Sequence, residues 1–91
     1  MFRYSIIVSG TVQGVGYRYF VLNKAISFDI TGWVRNLDDG GVEISAEGEK
    51  ALLDDFAGAI KSQHPWASIR SIEIAKAEID ERSSGSFTII T

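Results

Sequence analysis

Ninety-one residues, 45% of them hydrophobic and ten aromatic, suffice for one hydrophobic core and exclude a disordered chain. The absence of cysteine rules out disulfides, a thiolate nucleophile and a zinc–thiolate site. A net charge of −3 argues against a non-specific nucleic-acid binder, and no apolar run is long enough to cross a membrane. The first residues lack the shape of a signal peptide, so the expected location is the cytoplasm. The charge is unevenly spread: residues 1–36 set Arg3, Arg18, Lys24 and Arg35 against Asp29 alone, a net +3, whereas residues 37–91 carry −6.

In chain order, residues 4–10 alternate, with Tyr4, Ile6 and Val8 on one side, which predicts a half-buried strand. Residues 11–17 form a loop, and Gly10, Gly14 and Gly16 are closely spaced around it. Val21, Leu22, Ala25 and Phe28 fall at helical spacing and predict a helix over 18–28. Residues 30–37 alternate again, and Asp38-Asp39-Gly40-Gly41 supplies the turn of a hairpin. The returning strand, 42–47, points Val42, Ile44 and Ala46 inward, with Glu43 and Glu47 expected in solvent.

A second helix is predicted over about residues 49–62 from Leu53, Phe56, Ala57 and Ile60, and His64-Pro65 ends it. A strand over 70–79 has Ile72 and Ile74 inward, and its alternation changes phase at Ala75, which predicts a bulge or bend there. Ser83 to Ser86 reads as a loop, and Phe87 to Ile90 as a last short strand. The order is βαββαβ plus a short C-terminal strand. It predicts an α+β, ferredoxin-like split β-α-β sandwich, with two helices on one face of a mixed, largely antiparallel sheet, as a single domain over 1–91.

The chemistry concentrates in Gly10-Thr11-Val12-Gln13-Gly14-Val15-Gly16-Tyr17-Arg18, a glycine-rich connection from strand to helix. The first turn of a helix has N–H groups without intrahelical partners and a partial positive charge, so it receives anions readily. Glycines let the backbone approach such an anion closely. Arg18, at the helix start, offers a planar fork that grips two phosphate oxygens at once. A cation at the positive end of a helix opposes the dipole, and an anion held between the two resolves that opposition. By itself, a glycine-rich strand–helix junction also fits a plain turn, with the arginine in solvent.

The same stretch resembles the first motif of the acylphosphatase family, carried here by Gly10, Val12, Gln13, Gly14, Val15, Tyr17 and Arg18. A second motif of that family resembles Gly32-Trp33-Val34-Arg35-Asn36, followed by Gly40, Val42 and Gly48. The likeness covers the whole chain, including its fifth strand. It implies hydrolysis of the carboxyl–phosphate anhydride of an acyl phosphate, with no metal and no cofactor. It implies that Arg18 binds the phosphate together with loop amides from Gln13, Gly14, Val15, Gly16, Tyr17 and Arg18, and that Asn36 places the attacking water. It also suggests a monomer whose partners are small acyl phosphates, with inorganic phosphate or sulfate as competing anions. Tyr17 stands where phenylalanine is common, and His64-Pro65-Trp66 departs from the usual glycine–proline turn.

Other residues read as structural. His64, the single histidine, lies at a helix end with no acidic neighbour in sequence. Asp38-Asp39 belongs to a turn. Asp54-Asp55 are adjacent on a helix and diverge by ~100°, so they do not converge on one ion. Trp33 neighbours Asn36 in sequence and either flanks the site or packs. The rival class is a non-catalytic binding module, since ferredoxin-like domains also bind RNA or small effectors. The alternating aromatic pattern of an RNA-binding sheet is absent.

Overall fold

The computed structural model describes residues 1–90. Its elements are β1 (Phe2–Thr11), α1 (Tyr17–Ser27), β2 (Thr31–Asn36), β3 (Val42–Gly48), α2 (Lys50–Ser62), β4 (Ser68–Glu78) and β5 (Phe87–Ile89). The five strands form one sheet in the order β4-β1-β3-β2-β5. β1 pairs antiparallel with β3 and with β4, β2 pairs antiparallel with β3, and β5 joins β2 in parallel. This is the expected split β-α-β sandwich with its extra strand.

Alternation determines which way each strand faces. Tyr4, Ile6 and Val8 of β1 and Val42, Ile44 and Ala46 of β3 are fully buried beneath the helices. From α1, Val21 and Ala25 enter the same core, and from α2, Leu53, Phe56, Ala59 and Ile60 do. Each fully buried side chain of the Val, Ile, Leu or Phe kind contributes about 1.5–3 kcal/mol against exposure. The Tyr4 hydroxyl donates to Asp54 on α2 at 2.5 Å, so a core aromatic keeps its polar tip satisfied at the core's edge. α1 ends where Asp29 takes a left-handed φ of 56° and Ile30 donates to the Ala25 carbonyl at 2.8 Å.

β4 runs in register past Ala75, which pairs with Ser5, so the predicted irregularity there is absent. Ile72 and Ile74 keep one phase, but β4 lies at the sheet edge and Ile74, expected inward, is 36% exposed; Ala75 faces the open side of the sheet, and its small apolar side chain mimicked a phase change. The register instead shifts between Ser9 and Gly10, where Arg70 is the extra residue. A Cβ on Gly10 would stand 2.1 Å from the Ser68 carbonyl oxygen, so only glycine allows that close approach.

Glu43 and Glu47, both expected in solvent, differ. Glu43 is partly exposed and pairs with Arg35 at 2.6 Å, but Glu47 is only 2% exposed. The segment after β4 folds back across the open sheet face and brings Ser83 to Glu47. Ser83 donates through its backbone N–H at 2.7 Å and its hydroxyl at 3.0 Å, and Arg3 donates at 2.8 Å. Burial acts to raise the Glu47 pKa, but the bonds from Ser83 and Arg3 outweigh it and hold the carboxyl below its ordinary range.

Candidate functional site

The connection from β1 to α1 begins at Val12, which is 1% exposed and anchors the loop in the core. Gly14 and Gly16 then adopt left-handed backbones, with φ of 76° and 74°. A Cβ at either position would meet nothing within 4 Å, so the backbone conformation, not crowding, demands glycine there. Turns of this kind present backbone N–H groups to a concave surface.

Gly16 is the N-cap of α1 and cannot supply a side-chain cap, and no acidic residue lies in the first turn. The first helical amide bond is from Phe20 to the Gly16 carbonyl, at 3.1 Å. The N–H groups of Tyr17, Arg18 and Tyr19 therefore have no intrahelical acceptor and point out of the helix start. Arg18 is half-buried, and no carboxylate pairs with it among the described residues. Positive charge accumulates at this helix end without an internal counter-ion.

Asn36 arrives from another element. It is the last residue of β2 and has the same parity as buried Val34, so it faces the helix side of the sheet. It borders the same cleft as Arg18, a hollow of about 230 Å³ that Gln13, Gly14, Gly16 and Tyr19 also line. Among the described residues, the Asn36 Oδ1 is the one buried side-chain oxygen or nitrogen without a hydrogen-bond partner. A buried acceptor costs about 1–3 kcal/mol when it goes unpaired.

The remaining loop residues divide by function. The Val15 side chain packs against the core and does not line the cleft. Tyr17 is 1% exposed, and its hydroxyl donates to the Ile60 carbonyl at 2.8 Å. Burial pushes its phenol pKa far upward, so it is a structural donor. The Gln13 side chain reaches away, donating to the Leu37 and Gly41 carbonyls at 2.8 Å each. Tyr19, overlooked in the sequence, stands 66% exposed on the cleft wall. The available signal was its place beside Arg18 in the first turn, where side chains surround whatever the helix end holds.

His64 is a turn residue. Its Nδ1 accepts the backbone N–H groups of Trp66 at 3.1 Å and Ala67 at 3.0 Å. Its ring meets Phe20 edge-on, with centroids 5.0 Å apart. This replaces the glycine–proline turn with a packed aromatic one. Trp33 faces the opposite side of the sheet from Asn36 and lies against Arg35, so it packs and does not flank the cleft. Asp39 closes its own turn by accepting the Gly41 N–H at 2.9 Å. Two wider hollows, about 320 and 380 Å³, border on Asp29 and on Glu43 with Glu73. Neither gathers donors as an anion site requires. No cluster of His, Cys, Asp or Glu suited to a metal occurs among the described residues, and no helix there is long and apolar enough to cross a membrane.

Fold and cleft together define a ferredoxin-like α+β sandwich with an anion-receptive pocket at a helix start. Comparison with known proteins narrows this class. The acylphosphatase family profile matches residues 4–89, and the chain belongs to that family, whose members are enzymes that hydrolyse acyl phosphates. It is 49% identical over 84 residues to the acylphosphatase of Archaeoglobus fulgidus, covering 92% of this chain and 94% of that one. It superimposes on the crystal structure of acylphosphatase from Bacillus subtilis with a TM-score of 0.94 and 41% identity, covering all of both chains. It also matches T. kodakarensis HypF, with a TM-score of 0.82 and 33% identity, over 98% of this chain and 12% of that much longer one.

Proposed function

We propose that this chain hydrolyses acyl phosphates, with Arg18 and loop amides holding the phosphoryl group and Asn36 orienting the water. The observation that carries the reading is the coincidence, in one cleft, of an arginine without a carboxylate partner and a buried asparagine oxygen without a donor. The first is matched to an anion, the second to an O–H group.

The phosphoryl oxygens lie against the amides of residues 13–18 and the Arg18 guanidinium. The bound water donates one hydrogen to the Asn36 Oδ1, which turns its lone pair towards phosphorus. The new bond forms between water oxygen and phosphorus, and the bond from phosphorus to the carboxyl oxygen breaks. The electron pair leaves on a carboxylate, and the water proton passes to a phosphoryl oxygen. A carboxylate is a good leaving group, since its conjugate acid has a pKa of about 4, so no general acid is needed. Such transfers proceed through a loose transition state, where position and charge stabilisation supply the catalysis. An amide side chain is too weak a base to take the proton, so Asn36 orients and does not deprotonate.

The same reading makes the enzyme a cytoplasmic monomer that needs no metal, with inorganic phosphate and sulfate as competing anions. The test is benzoyl phosphate hydrolysis in chelator, followed by ultraviolet absorbance. Arg18→Gln loses two charged hydrogen bonds of about 1.5–3 kcal/mol each, so kcat/KM should fall roughly 10²–10⁴-fold and phosphate inhibition should weaken. Arg18→Lys should restore little, because a point charge lacks the fork. Asn36→Ala should lower kcat by roughly 10²-fold while the Ki of phosphate stays near normal. A folded wild type without activity, or Arg18→Gln with full activity, refutes the assignment.

A further inference from the structure

The cleft is built from two loops that are distant in sequence. Arg18 follows the glycine loop, and Asn36 opens the β2–β3 turn. Catalysis as proposed requires that these two loops hold one relative position to within a fraction of an ångström. One side chain spans them. The Gln13 Nε2 donates to the Leu37 carbonyl and to the Gly41 carbonyl, both at 2.8 Å. Among the described residues these are the hydrogen bonds that join the two loops.

The geometry leaves no ambiguity in the amide's orientation. Both partners are carbonyl oxygens, which only accept, so the NH₂ end must face them; the flipped amide would set its own oxygen against two others. The two N–H bonds also meet the turn where it closes on itself. Leu37 N–H donates to the Gly41 carbonyl at 2.8 Å, and Gly40 N–H donates to the Leu37 carbonyl at 3.2 Å. Each of the two carbonyls that fold the turn therefore takes its second bond from Gln13. Leu37 directly follows Asn36, so the clip acts on the residue next to the water-orienting one.

We infer that Gln13 is a positioning residue for the hydrolysis: its side-chain amide clips the anion loop to the β2–β3 turn and thereby fixes Asn36 over the phosphoryl group. The proposal rests on the function assigned above to Asn36. Gln13 touches neither substrate nor water through this amide nitrogen, since both of its hydrogens are spent on the turn. Glutamate at this position would set a carboxylate against two carbonyl oxygens and release the turn; leucine or methionine would remove both donors.

The experiment measures kcat for benzoyl phosphate, the Ki of inorganic phosphate and thermal stability. It compares wild type, Gln13→Leu, Gln13→Met, Asn36→Ala and the double variant Gln13→Leu/Asn36→Ala. Methionine, unbranched and similar in length, serves if leucine impairs folding. The expected result is a fall in kcat of roughly 10–100-fold in either Gln13 variant, with a phosphate Ki within about threefold of wild type. Once Asn36 is alanine, Gln13→Leu should lower kcat no further, because it acts through the missing side chain. Normal kcat in the Gln13 variants, with Asn36→Ala impaired, overturns the positioning proposal alone. A phosphate Ki that rises in step with the loss of kcat/KM also overturns it, assigning the bonds to the anion loop itself. So does a loss that persists undiminished beside Asn36→Ala. Full turnover in Asn36→Ala overturns the water-orienting assignment first, and the positioning proposal with it.

Discussion

Tyr17→Phe separates what this residue does for the fold from what its backbone does for the cleft. The hydroxyl donates to the Ile60 carbonyl at 2.8 Å in buried surroundings. Ile60 lies in the last turn of α2, whose final carbonyls have no intrahelical partner, so the tyrosine caps one of them from across the core. Deleting the hydroxyl removes a net hydrogen bond of about 1 kcal/mol and strands a buried carbonyl, for a total cost on the order of 1–3 kcal/mol. A chain of this size loses roughly 4–8 °C in Tm for each kcal/mol. Circular dichroism melting should therefore show a fall of several degrees. Because the hydroxyl is spent on the Ile60 carbonyl, kcat and the phosphate Ki, measured well below both midpoints, should match wild type. The family's frequent phenylalanine at this place agrees with that expectation. Lost turnover at an unchanged Tm refutes the reasoning and places the hydroxyl in the chemistry. An unchanged Tm with normal turnover shows that water caps Ile60 equally well.

Glu47→Gln should destabilise the protein by on the order of 1.5–3 kcal/mol through the loss of charge-assisted bonds. Because the Glu47 pKa is lowered in the folded state, its contribution is present above the ordinary carboxylate value of 4.5 and disappears as pH falls through the folded value. The Tm difference between wild type and Glu47→Gln should accordingly narrow in acid, and a constant difference from neutrality downward refutes the assignment. Gly16→Ala meets no steric neighbour, but its left-handed φ of 74° costs about 1–2 kcal/mol. It should lower Tm and raise the phosphate Ki together; unchanged values for both would show that the turn tolerates a Cβ.

The order of elements and the inward faces of β1, β3 and both helices were legible because alternation and helical spacing are local signals. They arise from each element's need to bury one face. Arg18 and the glycine loop were legible for a similar reason: left-handed turns demand glycine, and a cation at a helix start is out of place without an anion. Asn36 came only through its resemblance to a motif, since nothing local marks an asparagine at a strand end as facing a cleft. Tertiary structure alone decided the rest. Gln13 hydrogen-bonds 24 and 28 residues along the chain, and neither periodicity nor spacing encodes such a partner. Glu47 reads as a solvent residue on a polar strand face, yet Ser83, 36 residues later, folds over it. Ala75 mimicked a phase change, and the real bulge formed opposite Gly10, where two strands must match length. Burial patterns belong to single elements, whereas hydrogen-bond partners and covered faces depend on which elements the fold brings together.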